Sequence, residues 1–214
     1  MRTAALMLCV AACASNAPDA FAQAADAGWI LQKLARPAPT STDFIELRGS
    51  KLLKQPLRLS GVYSRPDADT LVREVRAPYA ETTTIRAGEA TIARAGKSPR
   101  RFSLSRAPEL AGLQASFGAL LSGDRAALEK FYRIAAQGTR QEWTMTLVPK
   151  EAALAAKVRD VALYGRGAEL RCIETRAAGS GGEVQRTLLA GAARTAQTAA
   201  TTEALQTLCR GGAN

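Results

Sequence analysis

Beyond its first forty residues the chain mostly alternates apolar and polar positions with a period of two, which predicts half-buried strands. Phe44-Ile45-Glu46-Leu47-Arg48 opens the series. Leu57, Leu59, Gly61 and Tyr63 alternate with Arg58, Ser60 and Ser64, and Leu71, Arg73 and Val75 alternate with Val72, Glu74 and Arg76. Runs at 82–86 and 90–94 flank a hairpin turn at Ala87-Gly88-Glu89, and 101–106 alternates again through Phe102 and Leu104. Pro56, Pro66, Pro78 and Pro99 fall between these runs, where a turn or a strand edge tolerates them. Later, Trp143, Met145 and Leu147 alternate with Glu142, Thr144 and Thr146 until Pro149. Three more strands are predicted at 158–164, 169–175 and 184–189, the last two joined through Gly179-Ser180-Gly181-Gly182. Short alternating segments at this spacing predict an antiparallel meander that forms a curved sheet or barrel.

The period becomes helical in three places. Residues 23–36 place Trp29, Ile30, Leu31 and Leu34 on one side, and Arg36-Pro37-Ala38-Pro39 ends the run. Residues 108–121 carry Leu110, Leu113, Phe117, Leu120 and Leu121 at spacings of three and four. Ser122-Gly123-Asp124 breaks this helix and can cap a second, whose apolar face continues through Leu128, Phe131, Tyr132 and Ala135 to a stop at Gly138. The Ala-rich stretch 150–157 suits a short turn of helix. From Gly191 the chain is rich in Ala and Thr, and reads as a weak helix or a partly disordered end. The fold class expected is α+β, mainly β. Helices placed mid-meander must lie across one face or mouth of the sheet to bury their apolar side.

The N-terminus changes the compartment. A short positive start at Arg2 precedes an apolar run at 4–14, too short to span a bilayer but suited to a signal-peptide core. Ala20-Phe21-Ala22 supplies small residues for cleavage before Gln23, so residues 1–22 read as a signal. Val10-Ala11-Ala12-Cys13 competes as a lipobox that would acylate Cys13. What remains, about 190 residues, suits one domain with a substantial core, with boundaries at 23–190 and a tail at 191–214.

The formal charge is +10, from 29 Lys plus Arg against 19 Asp plus Glu. The arginines are scattered singly and are not interleaved with aromatics, which argues against nucleic acid and suits an anionic lipid surface better. Cys172 and Cys209 are the cysteines beyond the signal. An exported compartment permits a bridge between them, the alternative being two buried free thiols. There is no histidine, so the commonest general base and the Ser-His and Cys-His pairs are absent. Two distant cysteines make no zinc site, and no glycine-rich phosphate loop joins a strand to a helix. Neither catalytic residues, metal nor cofactor is expected.

The segments Phe44-Ile45-Glu46, Leu57-Arg58-Leu59-Ser60-Gly61, Leu71-Val72-Arg73 and Ala77-Pro78-Tyr79-Ala80-Glu81 resemble the LolA-type outer-membrane lipoprotein carriers, and their divergent LolA-related branch in particular. Leu121-Ser122-Gly123-Asp124, Phe131 and Trp143-Thr144-Met145-Thr146-Leu147-Val148-Pro149 add to the resemblance, which covers residues 28–190. The resemblance implies an unclosed antiparallel barrel with helices as a lid over a hydrophobic cavity. It also implies a periplasmic carrier, here expected to be a monomer. That carrier would take the acyl chains of lipoprotein or another lipid from an inner-membrane release complex to an outer-membrane acceptor. By the resemblance, Leu57, Leu59, Val62, Leu71, Val75, Trp143, Met145 and Leu147 are wall candidates. Leu110, Leu113, Phe117, Leu120, Leu121 and Phe131 are lid candidates. Carriers of this type latch the lid with an arginine, and Arg48, Arg58, Arg73 and Arg76 are the options here. The alternatives are a LolB-like acceptor anchored through Cys13, a non-catalytic envelope module with a solid core, and an enzyme working through carboxylates or a lysine.

Overall fold

The computed structural model describes residues 23–48, 56–104, 119–179, 184–197 and 201–211. Within them eleven strands form one antiparallel sheet: β1 (Thr40–Arg48), β2 (Leu57–Arg65), β3 (Thr70–Ala77), β4 (Glu81–Arg86), β5 (Glu89–Arg94), β6 (Lys97–Ser103), β7 (Tyr132–Gly138), β8 (Trp143–Pro149), β9 (Val158–Arg166), β10 (Glu169–Ala177) and β11 (Val184–Leu189). The order across the sheet is β6-β5-β4-β3-β2-β1-β11-β10-β9-β8-β7. Sequence neighbours pair except for β6 and β7, which stand at the two edges, and β1 also pairs with β11, so the sheet does not close. The β4–β5 hairpin turns on Ala87 and Gly88, both at positive φ (48° and 76°), as a two-residue type I′ turn requires.

Register sorts the side chains into two faces, because residues opposite one another point the same way. Phe44 lies opposite Gly61 and Leu189, and Glu46 opposite Leu59 and Thr187. Thr187 lies opposite Ile173, then Leu163, Met145 and Ala136 follow across β9, β8 and β7. Phe44, Leu59, Leu163 and Met145 are buried on this face. Four helical segments cover part of it: α1 (Ala27–Leu34), residues 119–122, α2 (Arg125–Phe131) and α3 (Ala152–Ala155). Asp26 starts α1 by accepting the Trp29 N–H (3.0 Å), and Asp124 starts α2 by accepting the Ala127 N–H (2.9 Å). Ile30, Leu31 and Leu34 of α1, with Leu120, Leu128 and Leu154, pack on Trp143, Met145, Leu147 and Leu163 as one cluster.

The helix expected to run to Gly138 instead ends at Phe131, and β7 begins at Tyr132. Ile134 and Ala136 alternate with Arg133 and Ala135 and pair with Leu147 and Met145, so partnering β8 overrides the helical spacing.

The opposite face is also covered. Residues after β11 form α4 (Ala190–Ala196) and α5 (Thr202–Cys209), so the described tail residues are mostly helical. Ala192, Ala193, Ala196, Leu205 and Leu208 pack on Ile45, Leu47 and Leu188. Cys172 of β10 is bonded to Cys209 of α5 (S–S 2.01 Å), which pins the C-terminal helix to the sheet. Beneath it Glu174 is fully buried and paired with Arg186 (2.8 Å) and Arg176 (3.2 Å), with Arg210 at 3.5 Å. No helix among the described residues is long and apolar enough to cross a membrane.

Candidate functional site

A cavity of about 470 Å³ lies between the helices and the first face of the sheet. That volume falls in the range of small-molecule sites. Leu71 of β3 and Val161 of β9 both line it, although five strand spacings separate β3 from β9. A flat sheet would hold those strands about 24 Å apart at about 4.8 Å per spacing. The sheet therefore curls around the space, and the lined face is its concave side.

The floor is Ile173, Thr175, Thr187, Leu189 and Val161, and the roof is Leu34, Leu120, Leu121 and Leu154, with Tyr132 at the α2–β7 junction. Ile173 lies in the middle of the sheet, yet it is only half-buried and lines the cavity. Among the described residues, α1 and 119–122 pack over β7–β9 and the near end of β10, and the cavity lies beside them over β1, β11, β10 and β9. Leu47 lies opposite Arg186, which puts Gln185 level with Arg48. Between Thr40 and Gln185 the lining therefore runs along about 26 Å of strand at about 3.3 Å per residue. Half of the roughly 30 Å hydrocarbon core of a bilayer, the depth available to one acyl chain, is shorter than that.

The wall candidates divide by position. Leu71 lines the cavity. Trp143, Met145 and Leu147 share the concave face but are sealed beneath α1. Leu57, Leu59 and Val75 share it too, and pack with Phe44 and Leu189 next to the cavity. Val62 lies opposite Asp43 and Glu74 and so points to the convex side, because the period of two that puts Gly61 and Tyr63 inside puts Val62 outside. Of the lid candidates, Leu120 and Leu121 line the cavity, whereas Phe131 packs into the cluster around α1 and Tyr132 takes the lining position. Leu110, Leu113 and Phe117 lie outside the described residues, as do the signal and Cys13.

The concave face also carries charge that periodicity did not single out. Beyond Tyr63, Glu46 is 1% exposed and bridges Arg48 (2.6 Å) and Arg73 (3.0 Å), while Glu81 takes Arg94 (2.5 Å) and Arg73 (3.8 Å). Arg73 stacks over the Phe44 ring at 5.0 Å and donates to Tyr63 Oη at 3.2 Å. Burial and the Glu46 charge push the Tyr63 hydroxyl above its ordinary value, against the pull of Arg73. This polar ladder borders the greasy space along β1–β5.

Among the described residues the four arginines considered for a latch have partners on the sheet or after it. Arg58 donates to Ala196 O (2.6 Å) on the convex side, Arg76 pairs with exposed Glu74, and Arg48 and Arg73 belong to the ladder. Two others tie the roof to the sheet. Arg36, just past α1, donates to Ala168 O in the β9–β10 turn (3.0 Å), and Arg65 of β2 donates to Arg36 O (3.3 Å). Their proximity comes from tertiary structure, and no local spacing marks it. Among the described residues no group of three or more His, Cys, Asp or Glu could hold a metal ion.

The sequence matches over residues 19–212 the family model described as outer membrane lipoprotein carrier protein LolA-like. No curated protein matches it. Among solved structures, a LolA superfamily protein from Nitrosomonas europaea is similar at 12% identity, covering 75% of this chain and 90% of that one, with a TM-score of 0.40. LprF from Mycobacterium bovis is similar at 12% identity, covering 77% and 91%, with a TM-score of 0.34.

Proposed function

The chain belongs to the LolA-like family of outer membrane lipoprotein carrier proteins, and from that premise we propose that it shields acyl chains of a lipoprotein or another lipid in the aqueous periplasm. The family is described as one of carriers. The observation that carries the reading is the apolar cavity between a curled sheet and a partial helical roof. Each exposed methylene costs about 0.8 kcal/mol in water, so an acyl chain does not leave a membrane unaided. A space floored by Ile173, Leu189 and Val161 and roofed by Leu120 and Leu121 replaces that water.

Release has to be possible as well. The roof above the cavity is joined to the sheet by few polar contacts, chiefly those of Arg36 and Arg65 with backbone carbonyls. Such contacts are worth about 0.5–1.5 kcal/mol each, and an entering acyl chain re-covers the apolar surface of Leu34, Leu120 and Leu154 that parting the roof from the floor exposes. The exchange then runs from an inner-membrane release complex to an outer-membrane acceptor. Binding of a fluorescent fatty acid tests the reading. Wild-type protein should bind it saturably, and Leu189→Asp, which puts a charge in the floor, should abolish binding. No saturable binding by folded wild-type protein would end the proposal.

A further inference from the structure

Three charged side chains line the cavity: Arg36, Arg65 and Glu169. The carboxylate is already committed. Glu169 Oε1 accepts the Gly191 N–H at 2.7 Å and Thr42 Oγ1 accepts the Ala190 N–H at 3.2 Å. Ala190 has a positive φ of 47°, so these bonds hold the strained turn that leads from β11 into α4.

The two guanidiniums are not matched in the same way. Arg36 donates to the carbonyls of Lys33, Ala35 and Ala168, and Arg65 donates to those of Arg36 and Ala68 at 3.3 and 3.4 Å. Among the described residues neither forms a salt bridge with a carboxylate, whereas Arg73, Arg94, Arg176 and Arg186 all do. A guanidinium carries five N–H donors, and both arginines keep some free.

Their place in the cavity gives this meaning. Thr40 lies opposite Arg65 at the open end of the β1–β2 pair, and Arg36 is bonded to the β9–β10 turn at the same end of the sheet. Thr175 and Gln185, which pair with each other, mark the far end. Between them the lining is mainly Leu, Ile and Val. The cavity is thus amphipathic: at one end two guanidiniums outnumber the one carboxylate, and Leu, Ile and Val run along its length.

We propose that the cargo is an acidic lipid, whose phosphate or carboxylate docks on Arg36 and Arg65 while its chain lies along the floor toward Gln185. This deepens the carrier reading and rests on it. Charge-assisted pairs of guanidinium with phosphate or carboxylate are the strong hydrogen bonds of proteins, and Arg suits them better than Lys because its donors form a fork.

The test is displacement of a neutral fluorescent acyl probe by single-chain lipids of equal length: a fatty alcohol, the fatty acid and the lysophosphatidic acid. Inorganic phosphate serves as the control without a chain. The acid and the phosphate ester should bind about tenfold more tightly than the alcohol at low salt. Salt should narrow the gap, and inorganic phosphate should displace nothing. The double variant Arg36→Gln, Arg65→Gln should bind acid and alcohol equally, whatever its absolute affinity, while Arg36→Lys, Arg65→Lys should retain part of the preference. Equal affinity of acid and alcohol for wild-type protein overturns the proposal even if the variants fail to fold, and so does a preference that survives in the double Gln variant. Displacement by inorganic phosphate alone overturns the assignment to a lipid. If no lipid displaces the probe, the carrier reading falls with it. If the alcohol binds as well as the acid, the carrier reading stands and this inference alone fails.

Discussion

Ile173→Phe separates an open cavity from a packed core by the sign of its effect. Ile173 lies mid-sheet between Thr187 and Leu163 and faces the cavity. Phenylalanine adds three carbons. At about 0.8 kcal/mol per buried methylene they contribute up to about 2.4 kcal/mol if they enter empty space. In a filled core the same atoms would cost about 1–3 kcal/mol through overpacking. For a chain of this size 1 kcal/mol moves the melting temperature by about 2–4 °C, so the variant should melt up to about 5–10 °C higher. The same atoms remove room for an equal length of lipid, so affinity for a fluorescent acyl probe should fall by up to about fiftyfold. Thermal melts and probe titrations of purified protein read both. A lower melting temperature with unchanged probe affinity would refute the reasoning, because it would mean that side chains already occupy the space.

Three further outcomes follow from the same geometry. Cys209→Ser opens a bridge spanning 37 residues, which in the chain-entropy model removes about 4 kcal/mol; the melting temperature should drop by about 8–16 °C while probe binding, on the other face, persists in the folded protein. Burial raises the Glu174 carboxyl, but the Arg186 hydrogen bond and the charges of Arg186 and Arg210 outweigh it and hold the group below its ordinary value. Its contribution is therefore complete above about pH 4.3, the unfolded value, and is lost as pH falls through the lower folded one. Urea midpoints should accordingly fall on acidification, and by less in Glu174→Gln, which starts less stable at pH 7; an equal fall in both would contradict this. A Cβ on Gly165 would stand 2.0 Å from Trp143 Cζ2, so Gly165→Ala should cost about 1–3 kcal/mol and shift Trp143 fluorescence, and unchanged emission and stability would count against the packing described.

Much of the sheet was legible because the period of two is a local signal. Leu57, Leu59, Leu71, Val75, Trp143, Met145 and Leu147 all fall on the concave face as alternation requires. Val62 broke the pattern only because it was taken along with its neighbours. The strand at 132–138 was missed because Leu128, Phe131, Tyr132 and Ala135 keep helical spacing, and only pairing with β8 converts it. Which concave residues stay open was not legible at all. That depends on where α1 comes to rest: it seals Trp143 and Met145 and leaves Ile173 and Leu189 facing space. The buried pairs Glu46–Arg73 and Glu174–Arg186 were equally hidden, since each joins two different strands and each residue reads locally as a solvated charge.

The central claim, that the concave side is a binding site for hydrocarbon, is tested most directly by mass spectrometry of the organic extract of protein purified from its native envelope without detergent. Acyl lipid recovered at close to one molecule per protein, and absent from an extract of Leu189→Asp, is the predicted result. A clean extract from wild-type protein that also takes up no acyl probe on mixing would contradict it.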